Sequence, residues 1–265
     1  MALVILENQR TFFIQSAIEK FRSSNSLYLG IGKSTPWSNE SNPDVPLNTL
    51  AERTAFFNEL IYIQKSETSK IIPIVRRINW ESGTQYDLFN PSLESAWTSD
   101  FYVLNVENRV YRVASKVGNS TTTTEPTGTN QGIDTGDGYT WDYLYNIDPS
   151  DASLLINEWM PVYDFNNATT EQTTDGDVRA LETLGCEHLL IQSEISNPAI
   201  PVGITYRQLG ILFEPIDTGS APITGTAVPG ASVDNAGMLL SVENREAANR
   251  SAGQTETFNS ILRAY

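Results

Sequence analysis

Gly136-Asp137-Gly138-Tyr139-Thr140-Trp141-Asp142-Tyr143-Leu144-Tyr145 is the stretch on which the reading of this sequence turns. A glycine on each side of an aspartate makes a tight turn. Glycine reaches backbone angles that other residues avoid, and aspartate bonds amides near it in the chain. The two-residue period of a strand follows, with Trp141, Tyr143 and Tyr145 alternating with Asp142, Leu144 and Asn146. Read over residues 139–147, this strand puts three large rings on one face. Such rings serve equally as a packed face of the protein's own core or as anchors of an interface. Both readings stand at this point.

Working outward, residues 118–138 are rich in Thr, Gly and Asn and nearly free of apolar residues, which predicts a long loop. Before it, residues 101–106 and 110–117 flank Glu107-Asn108-Arg109 as the arms of a hairpin. After the aromatic strand, a second polar stretch covers residues 166–177, and Leu189-Leu190-Ile191 resumes apolar character. Residues 207–213, 238–242 and 258–262 read as strands.

The beginning of the chain differs. Residues 8–24 carry Phe12, Phe13, Ala17, Ile18 and Phe21 on one helical stripe. Residues 27–31 alternate as a strand and run into a Pro- and Asn-rich loop over 34–46. Asn48 or Thr49 caps a second helix carrying Leu50, Ala55, Phe56, Leu60 and Ile63, and residues 71–75 form a short strand containing Pro73. The fold class is therefore α+β and β-dominant, with antiparallel, sandwich-like sheets, a few N-terminal helices and long loops. The change in character suggests a nested arrangement. Residues 1–82 with 195–265 make an outer α+β domain, and 83–194 an inserted β-rich domain.

Composition narrows the function. Hydrophobic residues at 40% and aromatics at 10% permit a packed core. Thirty-two acidic residues against seventeen basic ones leave a formal charge of −15, the wrong sign for a phosphate backbone. Only Arg76-Arg77 is a local basic pair. No apolar run is long enough to cross a membrane as a helix, and the first ten residues lack the pattern of a signal peptide. A soluble protein made in a cytoplasm is expected. The single cysteine, Cys186, excludes an internal disulfide.

Three stretches invite a chemical reading. Gly30-Ile31-Gly32-Lys33-Ser34-Thr35 matches the end of a phosphate-binding loop, but Leu27 stands where its first glycine belongs, and Pro36-Trp37 replaces the helix. Asp134-Thr135-Gly136-Asp137-Gly138 offers oxygens for calcium, yet the twelfth position of such a loop is Tyr145 rather than glutamate. Cys186 and His188 share a strand face, but no orienting group or oxyanion hole can be named beside them. The chain is therefore expected not to be an enzyme and to carry no cofactor, metal or small-molecule substrate.

Five segments, in order, resemble the baseplate wedge subunit encoded by gene eight in T-even-type contractile-tail phages. The first runs from Gly30 through Lys33, Pro36 and Trp37 to Glu40, and the second is Arg76-Arg77-Ile78-Asn79-Trp80. The third is the opening stretch, with Gly136, Asp137, Gly138, Tyr139, Trp141 and Tyr143. Tyr206-Arg207-Gln208-Leu209-Gly210-Ile211 comes next, then residues 237–245 ending in Glu243-Asn244-Arg245. The chain departs from the family in a shorter central section without central cysteines. The resemblance implies a virion protein of the tail baseplate that pairs with itself and with other wedge subunits. It implies a part in assembly and rearrangement, binding neither nucleic acid nor membrane. The segments named are then family motifs or candidate interface residues. A β-rich receptor- or glycan-binding tail protein is the alternative.

Overall fold

Two α-helices, thirteen strands and a 3-10 turn at Gly230–Ser232 make up the regular structure of the described residues, so the protein is α+β with strand predominating, as expected. The computed structural model describes residues 7–23, 26–66, 71–90, 99–149, 158–162, 184, 186–195, 198, 200–234, 237–251 and 255–263. In chain order the elements are α1 (Glu7–Arg22), β1 (Leu27–Gly32), α2 (Leu50–Asn58), β2 (Leu60–Lys65) and β3 (Ile71–Arg76). Then come β4 (Tyr102–Leu104), β5 (Arg109–Lys116), β6 (Ile133–Asp134), β7 (Tyr139–Asn146) and β8 (Trp159–Pro161). The last are β9 (His188–Ile195), β10 (Thr205–Phe213), β11 (Ala227–Pro229), β12 (Met238–Asn249) and β13 (Glu256–Arg263). They fold into two compact units. One comprises Met1–Gln15, Ile72–Leu189 and Arg263–Tyr265, and the other Ser16–Ile71 and Leu190–Leu262. The polar stretch at 166–177 lies outside the described residues.

In the second unit an antiparallel sheet runs in the order β11-β2-β1-β10-β12. Strand β1 is buried along its whole length. Leu29 and Ile31 stand opposite Ile211 and Leu209 on one face, and Gly30 stands opposite Gly210 on the other. Helix α2 covers the glycine face. Its Thr49 cap accepts a hydrogen bond from the Glu52 amide at 3.2 Å, which satisfies one of the open donors of the first turn. Phe56 and Phe57 then enter a core with Tyr28, Leu60, Ile63 and Leu212.

Two expectations are corrected, one in this unit and one in α1, whose residues up to Gln15 belong to the first unit. Leu60 and Ile63 do not continue the second helix. The helix ends at Asn58, and both residues lie in β2, paired with β1 and β11. They lie four and seven positions beyond Phe56, which mimics helical spacing, while the Ile61-Tyr62-Ile63 run prefers a strand once a sheet edge is there to receive it. The apolar stripe of α1 keeps Ile18 but not Phe13, which is 51% exposed, and Ile14 is buried in addition.

The first unit holds an antiparallel sheet in the order β4-β5-β7-β6. The expected hairpin is there: Asn108 takes a left-handed backbone (φ 59°) between β4 and β5. The Asn105 carboxamide accepts from the Glu107 and Arg109 amides at 3.0 and 2.9 Å. Strand β7 does not keep a simple alternation. Its partners step from Tyr111↔Tyr143 to Val110↔Tyr145, so Leu144 is an extra residue in a bulge. Tyr139 and Trp141 are fully buried in a core with Tyr86, Val103, Tyr111 and Val113, and Tyr143 packs partly against it. Beyond the bulge Leu144 and Tyr145 are both buried, and Tyr145 donates its hydroxyl to the Pro161 carbonyl at 3.0 Å. In the same unit β3 pairs antiparallel with β8, from Ile74↔Pro161 to Arg76↔Trp159.

The long loop at 118–138 contains the short strand β6 and is tied down by Asp137. One carboxylate oxygen accepts from the Thr122 hydroxyl (2.9 Å) and the Thr123 and Thr124 amides (2.6 and 3.0 Å). The other accepts from the Thr135 hydroxyl (2.5 Å) and the Tyr139 amide (3.2 Å). Gly136 and Gly138 flank it at φ 74° and 92°, angles that a side chain would strain. Burial alone would raise the Asp137 carboxyl, but hydrogen bonds from Thr135, Thr123, Thr124 and Thr122 outweigh it and hold the group well below the usual carboxylate range. The folded carboxyl thus ionises at lower pH than the unfolded one. Its stabilisation is full above the ordinary carboxylate range and is lost as pH falls through that range toward the folded value. Asp137→Asn is expected to destabilise this unit by roughly 1.5–3 kcal/mol at neutral pH, as for hydrogen bonds to a charged group. The gap from the parent should shrink below about pH 4 in a series of urea titrations. A gap that persisted unchanged into strong acid would show that the charge contributes nothing.

Candidate protein-interaction face

The residues singled out in the sequence fall into two groups, one in each unit. In the second unit, the loop after β1 folds back onto β10 and β12. Lys33, in a left-handed conformation at φ 55°, directs its ammonium to both carboxylate oxygens of Glu59 at 3.0 Å, and the same group lies 4.5 Å over the Trp37 ring. The Trp37 indole donates to the Arg245 carbonyl at 2.8 Å, and its amide donates to Glu40 at 2.9 Å. Arg207 bonds the same Glu40 carboxylate at 2.8 and 3.0 Å and the Ser34 carbonyl at 2.6 Å. Asn244 accepts from Gln208 and donates to the Asp44 carbonyl, both at 2.8 Å. Arg245 pairs with Glu256, which also accepts from the Tyr206 hydroxyl. Pro36 and Glu243 are exposed at the margin.

This arrangement accounts for the Gly-x-Gly-Lys-Ser-Thr stretch without a nucleotide. No helix begins at Lys33; the next one starts at Leu50. The lysine is held by a carboxylate, and Gly30 and Gly210 leave room for the Phe56 ring.

In the first unit the other two motifs meet. Trp80 packs against the core that contains Tyr139 and Trp141. Its indole donates to the Thr122 hydroxyl at 3.3 Å, and that hydroxyl donates on to Asp137. Arg76 pairs with Asp100, and Arg77 bonds Asn79 at 3.1 Å. Of the two readings of the aromatic strand, Tyr139 and Trp141 take the packed one: both are fully buried in their own unit. Cys186 and His188 do not form a catalytic pair. The thiol lies 3.4 Å from the Ile74 and His188 backbone carbonyls, burial pushes it up to about 12, and the imidazole packs 4.4 Å from the Trp159 ring. Among the described residues no group of three His, Cys, Asp or Glu side chains is placed to hold a metal.

A second feature escaped the sequence reading. Val45, Leu47 and Leu50 are 81%, 65% and 75% exposed, in the loop and first turn leading into α2. Between them and β12 lies a cleft, in two grooves of about 510 and 390 Å³ that meet at Pro46, Ser241 and Val242, the smaller one walled also by residues 258–261 of β13. Its walls are tied together by Asn244 donating to the Asp44 carbonyl and by Arg53 donating to the Gly237 carbonyl at 2.8 Å. The signal was present as apolar residues inside a Pro- and Asn-rich loop, but a loop has no periodicity to say whether they are buried.

Among the described residues, the second unit presents tied loops and a cleft of mixed polar and apolar lining beside the terminal strand β12. No curated protein matches the chain. Residues 164–264, which contain β9 to β13, match the family model described as "Baseplate wedge 3 tail fiber network component", consistent with a phage baseplate wedge subunit.

Proposed function

We propose that the chain is a structural subunit of a contractile-tail baseplate wedge. It forms a homodimer, binds other wedge proteins and takes part in baseplate assembly and rearrangement. It is made in the host cytoplasm and resides in the virion tail. The observation that carries this reading is the family match over residues 164–264. That stretch supplies β10 and β12, to which the loop carrying Lys33 and Trp37 is fastened by Arg207 bonding the Ser34 carbonyl and by Trp37 bonding the Arg245 carbonyl. The physical role is differential binding: a subunit contributes to a switch only through contacts whose free energy differs between the assembled states. The organisation proposed with it is an outer domain of 1–82 with 195–265 and an inserted domain of 83–194. A glycan-binding tail protein would display its rings to solvent, whereas Tyr139 and Trp141 are buried.

Cross-linking mass spectrometry on purified intact particles tests the proposal. Cross-links from the chain to itself and to wedge proteins are expected. Cross-links to fibres or spikes alone would place it among receptor-binding proteins, and absence from the particle would sink the structural reading.

A further inference from the structure

We infer that the cleft between residues 43–53 and β12 receives a short extended segment of a different virion protein, one with apolar side chains flanked by Lys or Arg. The inference rests on the baseplate reading and adds the surface and the chemistry of its occupant.

Three observations point the same way. First, β12 is the terminal strand of its sheet among the described residues: β13 touches it through the Ser241 and Ser260 hydroxyls, 2.7 Å apart, but no described strand is paired with it on the side away from β10. Such an edge accepts an added strand by main-chain hydrogen bonding, with alternate side chains of the guest entering pockets. Second, two grooves lie along this strand and meet at Ser241 and Val242, giving an extended guest two places to seat side chains. Val45, Leu47 and Leu50 project beside them, with Met238 54% exposed at the start of the strand. Apolar side chains grouped this way on a rim of polar residues mark a surface that binds another protein.

Third, charge selects the occupant. The charged side chains lining the two grooves are Asp44, Glu52, Glu243 and Arg53. The arginine is turned inward, donating to the Gly237 carbonyl and lying over the Phe57 ring. The rim is therefore acidic, in a chain whose formal charge is −15. A second copy docking here about a two-fold axis would set this rim against itself, because such an interface uses the same patch twice. Like charges brought together oppose binding, whereas Lys or Arg flanking an apolar segment would complement the rim.

The test uses the full chain assembled in particles, with the photoreactive residue p-benzoylphenylalanine at position 45 or 47 in place of Val45 or Leu47. The expected product is an adduct with another virion protein, through a peptide whose apolar residues are bordered by Lys or Arg. Asp44→Lys combined with Glu243→Lys, both exposed positions, should lower the adduct yield about tenfold, the loss expected from removing one tenfold step of binding affinity. An adduct between two copies of this chain would overturn the inference, as would an adduct peptide lacking basic residues. So would the absence of any adduct from a chain that is present in the particle. A chain missing from the particle altogether would instead sink the baseplate reading, and this inference with it.

Discussion

Phe56→Ala is expected to destabilise the second unit by about 3–5 kcal/mol, the range for deleting a buried aromatic ring. Phe56 is fully buried in the last turn of α2, over the paired glycines of β1 and β10. A Cβ built at Gly210 would lie 2.7 Å from the tip of the ring, and one at Gly30 would lie 2.9 Å from it. The floor under Phe56 is therefore bare backbone. With the ring gone, neither glycine has a side chain to fill the space, so the cavity persists. Gly30→Ala and Gly210→Ala should each cost about 1–3 kcal/mol by overpacking. Gly32→Ala is the control, because its Cβ would meet nothing closer than 3.6 Å and should be nearly neutral. The double change Phe56→Ala with Gly210→Ala should cost less than the sum of its parts, since the new methyl enters the space the ring vacates. Urea titrations read through hydrogen exchange of β1 and β10 amides would measure this. Strict additivity would mean that ring and glycine do not share that space.

Gly230→Ala is expected to be as damaging for a different reason. Gly230 opens the short 3-10 turn after β11, and its Cβ would fall 2.0 Å from the Leu60 carbonyl oxygen and 2.4 Å from the carbonyl carbon. At Gly30 the nearest atom is the end of a leucine side chain, which can turn aside. At Gly230 the obstacle is main chain at the start of β2, so relief requires parting the turn from β2. A loss of about 3 kcal/mol, at the upper end of the overpacking range, is the expected result. It should appear as a fall in melting temperature of roughly 6–12 °C for a chain of this size. Melting within a degree of the parent would show that the turn stands off from β2.

Much of the fold was legible because it rests on local pattern. Alternation marked β1 and β7. Turn chemistry marked Asn108 and the Gly-Asp-Gly at 136–138, and Thr49 stood where a cap belongs. What was missed lacked a local signal or carried a misleading one. Strand β8 has three residues, and β6 two, hidden in a polar loop. Strand β11 ends in Pro229, and β2 carries apolar residues at positions that also fit a continued helix. Among the candidate residues, the sequence marked Lys33, Trp37, Arg207 and Arg245, but not that Glu40, Glu59 and Glu256 are the carboxylates that hold them.

By itself the sequence determined the class of the fold, the tight turn at Asp137, the formal charge of −15 and the resemblance to a baseplate wedge protein. Those follow from composition, charge and spacing, which are properties of neighbours along the chain. Only the tertiary structure decided that Trp141 is core, that Lys33 is paired with Glu59, and that Val45, Leu47 and Leu50 face solvent. Each of those depends on what the fold brings from far along the chain, or fails to bring. Trp37 and Arg245 stand over two hundred positions apart, and no local pattern states that an indole and a carbonyl will meet.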